Sequence, residues 1–125
     1  MRSLLLFLLF VASLLAAAAR RNIHSRLLIP VGQQFVLGGD QAGAFQVRAR
    51  NSGQVAVLFL ERAGSGTAVE RSRLVPGQSA RLAFAAGAAV LVRNLGSWRA
   101  RLDLDIEGPG NSRMTYEPAA TGPKK

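Results

Sequence analysis

The chain of 125 residues carries 16 Lys and Arg against 7 Asp and Glu, a formal charge of +9, and no Cys. The missing Cys excludes disulfide staples, thiolate metal sites, a cysteine nucleophile and a lipid anchor on a terminal Cys. His24 is the single His, so a His-based acid–base or metal cluster within one chain is excluded, and Ser-His-Asp or Cys-His catalysis lacks its parts.

Met1-Arg2-Ser3 precedes an apolar run from Leu4 to Ala19, interrupted only by Ser13 and closing in four alanines. A positive start, an apolar core and small residues at its end are the three parts of a secretory signal, with cleavage expected between Ala19 and Arg20. The competing reading is an uncleaved anchor. Its apolar core falls short of the ~20 residues a spanning helix needs, and Arg20-Arg21 would make the outer flank more basic than the inner. The expectation is export to the periplasm or beyond, with the membrane touched only through the signal where that is uncleaved.

Without residues 1–19 the chain has 106 residues, room for one core, and holds 13 Arg and 2 Lys against the 7 acids, a net charge of +8. Such an excess attracts polyanions through a field that salt screens, and Arg offers planar bidentate donors for phosphate, sulfate or carboxylate. Arg on outer strand positions also serves solubility and edge protection.

In chain order, residues 20–26 read as a flexible basic segment, 27–107 as a sandwich domain and 108–125 as a disordered tail rich in Pro and Gly. Within 27–107 apolar residues recur with period 2, broken every eight to twelve residues by Gly, Asn, Pro and Ser. Strands are expected at 27–30, 34–37, 44–50, 55–61, 67–74, 79–85, 88–93 and 98–107. In the last, Trp98, Ala100, Leu102, Leu104 and Ile106 share one face, while Arg99, Arg101, Asp103, Asp105 and Glu107 share the other. Val55–Leu60 is apolar throughout, as suits a strand covered on both faces in the middle of the core.

Val47–Gly53 and Val90–Gly96 share the pattern V-x-[A/V]-R-N-x-G. Asn and Gly tolerate positive φ, so each copy is expected to close a hairpin, 44–61 and 88–107. Placed side by side, Arg50, Asn51, Arg93 and Asn94 would form an anion site at one rim; two similar turns solving one geometric problem is the simpler reading.

The run Val47, Asn51-Ser52-Gly53, Val55-Ala56-Val57, then Leu74-Val75-Pro76-Gly77-Gln78-Ser79 and the alternating Ala80 to Phe84, resembles bacterial immunoglobulin-like adhesion-type modules over about residues 44–93. The resemblance implies a small immunoglobulin-like antiparallel β-sandwich of about 7–8 strands following the N-terminal signal helix, an all-β fold, and says almost nothing of function.

No cofactor motif is present: Gly38-Gly39-Asp40 and Ala63-Gly64-Ser65-Gly66 lack the Lys-Ser/Thr and the helix of a phosphate loop. Asp103, Asp105 and Glu107 are a candidate oxygen-ligand set, but cross-strand pairing with Arg is the simpler reading and no metal is expected. Arg48, Arg50, Arg81, Arg93, Arg99 and Arg101 are the candidate anion-binding residues. Without interleaved aromatics they do not fit nucleic acid. Trp98 is expected in the core against Phe45 and Phe84, the alternative being an exposed carbohydrate platform. Together these readings imply an exported, non-enzymatic binding module whose partner is a protein or an anionic envelope component such as lipopolysaccharide or an acidic glycan. The alternative is a structural or assembly subunit that joins other chains by sheet-edge pairing.

Overall fold

The computed structural model describes residues 20–64, 66–109 and 113–119; the apolar segment 1–19, Ala19 included, lies outside them. The described residues form nine strands and no helix: β1 (Arg20–Ile29), β2 (Gln33–Gly38), β3 (Phe45–Asn51), β4 (Val57–Ala63), β5 (Val69–Leu74), β6 (Ser79–Phe84), β7 (Ala88–Asn94), β8 (Ala100–Pro109) and β9 (Met114–Pro118). They make two antiparallel sheets, β1-β8-β3-β6 and β5-β4-β7-β2-β9, with a shared core between them.

Alternation does most of the local work. In β3, Phe45, Val47, Ala49 and Asn51 are buried while Gln46, Arg48 and Arg50 are exposed; in β8, Ala100, Leu102, Leu104 and Ile106 point inward and Arg101, Asp105 and Glu107 point out. Phe45 and Phe84 sit opposite each other across β3 and β6 and stack at 5.3 Å. Strands β4 and β7 are apolar on both faces because the second sheet has an apolar outer layer as well. Val36, Leu58, Leu60, Ala89 and Leu91 are buried on its far side. A chain of polar side chains lies over this layer: Arg93 Nε donates to Gln34 (3.1 Å), Gln34 Nε2 donates to Glu117 (2.7 Å), and Arg62 reaches the same carboxylate at 3.4 Å. The aliphatic stem of Arg62 thereby crosses the row of Leu60, Leu91 and Val36.

All eight expected strands are present, but three expectations are corrected. Residues 20–26 belong to β1, which pairs with β8 along its whole length. The stretch 108–125 contains the end of β8 and all of β9, which adds to the free edge of β2, with Tyr116 edge-on to Phe35 at 5.5 Å. The two expected hairpins do not exist: β3 and β4 lie in different sheets, as do β7 and β8. Only β4 and β5 are neighbours both in sequence and within a sheet, and every other connection crosses between the sheets. This is the strand order of a jelly roll with β9 added. It shares the pairing of fourth and fifth strands with the immunoglobulin-like order but departs from it in that first and second, and sixth and seventh, do not pair.

The repeated R-N-x-G motif builds two of these crossings in the same way. Asn51 Nδ2 donates to the carbonyls of Val55 (2.8 Å) and Leu74 (3.0 Å), and its Oδ1 accepts from Gly53 N (3.0 Å). Asn94 Nδ2 donates to Trp98 O (2.8 Å) and Ile29 O (2.9 Å), and its Oδ1 accepts from Gly96 N (2.8 Å). Each carboxamide is buried and fully used, holding its own arch and the end of a neighbouring strand. The arches also bond to the chain beyond them, Ser52 N to Arg101 O and Leu95 N to Ala56 O, both at 3.1 Å. A Cβ on Gly96 would stand 2.5 Å from that of Val55.

Asn51→Asp or Asn94→Asp keeps the side-chain shape but removes both donors and sets a carboxylate against two carbonyls. Each is expected to lower the unfolding free energy by about 3 kcal/mol, read as a lower urea midpoint, whereas Gln54→Glu on the exposed part of the first arch changes it by under about 0.5 kcal/mol.

Candidate anion-binding face

The outward side chains of the β1-β8-β3-β6 sheet form ordered rows, because register aligns them across four strands. One row reads His24, Asp105, Arg48, Arg81; the next reads Arg26, Asp103, Arg50, Ser79; a third reads Asn22, Glu107, Gln46, Ala83. Asp103 and Asp105 of β8 therefore stand between Arg26 and His24 on β1 and Arg50 and Arg48 on β3. On the β1 side His24 Nδ1 lies 2.6 Å from Asp105 Oδ1, and Arg26 Nε lies 4.0 Å from Asp103 Oδ1. Successive carboxylates on β8 are two strand residues apart, about 6.6 Å, and Glu107 stands between Asn22 and Gln46; the spacing makes a ladder of separate groups rather than a chelating set. Among the described residues no group of three His, Asp or Glu stands close enough to hold a metal ion.

Asp105 and Asp103 pair toward β1, and the outward positions of β3 and β6 hold Arg48, Arg50 and Arg81 and no acid. Arg48 and Arg81 are directly opposed, both exposed, and border a shallow depression of about 410 Å³ with Asn22, Gln46, Asp105 and Glu107. Like charges at directly paired positions are mildly destabilising, by well under 1 kcal/mol between solvated tips, and a bound anion reverses the sign of that term. Counting Arg26, Arg48, Arg50, Arg81 and Arg101 against Asp103, Asp105 and Glu107, the face carries two more cations than anions before His24 is considered.

Of the six arginines expected to act together, Arg48, Arg50, Arg81 and Arg101 share this face, and Arg99 lies at its end, in the arch leading into β8. Arg93 does not belong to it: it is half-buried on the outer layer of the other sheet, bonded to Gln34. The alternative of a rim site of Arg50, Asn51, Arg93 and Asn94, as against two similar turns, is not formed, since both Asn side chains are buried in backbone bonds. Of the expected cleavage pair, Ala19 lies outside the described residues and Arg20 opens β1. His24 and Arg26, assigned by sequence to a flexible flank, join the face through β1; the alternation of Ile23, Leu27 and Ile29 was the signal that would have placed them there.

Trp98 is not in the core. It is 60% exposed, and Phe45 and Phe84 pack on each other without it. The alternation of β8 begins at Ala100, because residues 95–99 are spent on the arch between sheets, where Asn94 holds the Trp98 carbonyl and leaves the indole outside. Leu28, Ser52, Gly53, Gln54, Arg99 and Arg101 surround it in a small groove of about 130 Å³.

Comparison with protein-family models, with curated proteins and with solved structures finds no match for this chain.

Trp98→Ala is expected to cost under about 1 kcal/mol in unfolding free energy, against about 3–5 kcal/mol for Phe59→Ala at the fully buried centre of β4, both read by urea denaturation followed by circular dichroism.

Proposed function

We propose that the protein is an exported, non-enzymatic binding module, periplasmic or secreted, that recognises an anionic component of the cell envelope through the outer face of the β1-β8-β3-β6 sheet. The observation that carries this reading is the opposed pair Arg48 and Arg81 with Arg50 and Arg101 on the same face, while Asp103 and Asp105 of β8 pair with Arg26 and His24 of β1. The recognised chemistry is phosphate, sulfate or carboxylate borne on an extended molecule, and its two sources are lipopolysaccharide and an acidic glycan. The described residues of this face include no aromatic side chain for base stacking, which weighs against a nucleic-acid partner.

A second reading, assembly with other chains by strand addition, rests on β1, a ten-residue strand at the edge of its sheet. Salt-insensitive, concentration-dependent oligomers in size-exclusion chromatography would support it.

Retention on a heparin column is expected to fall with added salt, and Arg48→Gln with Arg81→Gln to weaken binding about tenfold, while Arg93→Gln leaves it unchanged. Parallel titrations with lipopolysaccharide and with alginate separate the two sources. Equal losses per charge removed from the Arg93 and the Arg48/Arg81 variants would mean that only net charge is being read, and the assigned face would be abandoned.

A further inference from the structure

Strand register sets the connections 30–32, 52–56, 75–78 and 95–99 at one end of the sandwich, since Ile29 pairs with Ala100, Arg50 with Ser79, and Val57 with both Leu74 and Asn94. Five of the seven exposed large hydrophobic side chains of the described residues gather there: Leu28, Val31, Val75, Leu95 and Trp98. None of the four connections contains Asp or Glu. Arg99 and Arg101 flank Trp98, and Arg73 borders a depression with Leu95. At the opposite end, the connections 39–44 and 85–87 are built of Gly, Ala, Asp40 and Gln41.

The arrangement of these apolar groups selects among occupants. Val31 sits where β1 turns into β2 at one side of the sandwich, and Val75 where β5 turns into β6 at the other, three strand spacings or about 15 Å away, with Trp98 and Leu95 between. These side chains lie on three connections and the end of β1; Trp98 and Val31 border one depression with Pro30, Ser97 and Arg99, but Leu95 and Val75 lie outside it, so no single sugar ring meets them all. A plane meets them together. Trp favours the boundary between headgroups and acyl chains, short apolar side chains reach the same depth, and Arg at their margin matches lipid phosphate.

We propose that this end of the protein docks on an anionic phospholipid bilayer, with Trp98, Val31, Leu95 and Val75 at the headgroup boundary and Arg73, Arg99 and Arg101 against the phosphates. The surface adjoins the anion-binding face at Arg99 and Arg101 but does not include Arg48, Arg50 or Arg81, so variants at Arg48 and Arg81 test the two readings apart.

Trp98 is the only Trp of the chain and reports on its own environment. The chain from Arg20 to Lys125 holds every described strand and omits the apolar segment, which would enter a bilayer by itself. With vesicles of equal parts phosphatidylglycerol and phosphatidylcholine, Trp98 emission is expected to shift to the blue, to be quenched by brominated acyl chains and to lose access to acrylamide. Val31→Ser with Leu95→Ser should reduce partitioning about tenfold while keeping the reporter, Arg99→Gln about fivefold, and Arg48→Gln with Arg81→Gln less than about twofold. An unchanged spectrum with these vesicles overturns the proposal. So does undiminished partitioning of the Val31/Leu95 variant. A blue shift produced by oligogalacturonate without vesicles would reassign the end to an acidic glycan, and one that grows with protein concentration in buffer alone would reassign it to self-association.

Discussion

Two buried carboxamides govern how this chain is wound. A strand that leaves one sheet for the other must expose the backbone groups of its crossing, and a domain without Cys has no covalent means of fixing that crossing. Asn51 and Asn94 supply the missing partners from inside: each bonds to two carbonyls and one amide, and each ties its arch to the end of another strand, Leu74 of β5 or Ile29 of β1. Advancing each strand by four places, counted around the eight, turns the order β1-β8-β3-β6 into β5-β4-β7-β2. The two arches are equivalent under that operation, and so are the strand ends they hold. The turns that follow agree as well, with Gln33 N bonded to Pro30 O and Gln78 N to Val75 O, and with Gly32 and Gly77 at φ 78° and 88°. The short motif visible in the sequence is thus the surface of a larger internal correspondence between residues of β1–β4 and β5–β8.

Strand positions were legible because alternation is local, and the pairing of strands was not because it is a choice among sheets. An Arg-Asn-x-Gly ending states that the chain reverses direction. A hairpin and a sheet-crossing arch both reverse it, and both tolerate the same turn residues. The side chain of Asn distinguishes them only through what it bonds to, and Leu74 and Ile29 are far from Asn51 and Asn94 in sequence. The flanks failed for a different reason. Arg20, Arg21, His24 and Arg26 made the start of β1 look like a solvated tail, although its inward positions follow the same period as Leu27 and Ile29, and β9 is five residues held by an edge that sequence alone does not reveal.

The candidate face was partly legible for the same reason. Arg48, Arg50, Arg81 and Arg101 occupy the polar phase of clean alternations, so their outward placement follows from parity. Arg93 is the penultimate residue of β7, a strand apolar on both sides, where parity assigns a face but not exposure; above the apolar outer layer of its sheet it bonds to Gln34. Trp98 shows the converse error. It has the parity of the β8 core residues but precedes the strand, and parity carries no information across an arch.

The arches join the fold to its surfaces. Because Asn94 grips the backbone of Trp98, the indole is displayed by a rigid crossing rather than a loose loop, which lowers the ordering entropy that a contact at this end must overcome. The same geometry constrains what must happen to the amino-terminal segment. Arg20 stands at the far end of β1, paired with Pro109, nine strand steps or about 30 Å from Ile29 at the Trp98 end. An apolar segment retained ahead of Arg20 as an anchor would hold the Trp98 end away from its own bilayer. Docking of that end on the same membrane thus accords with the cleavage expected between Ala19 and Arg20 rather than with a retained anchor, while that cleavage does not itself require the docking.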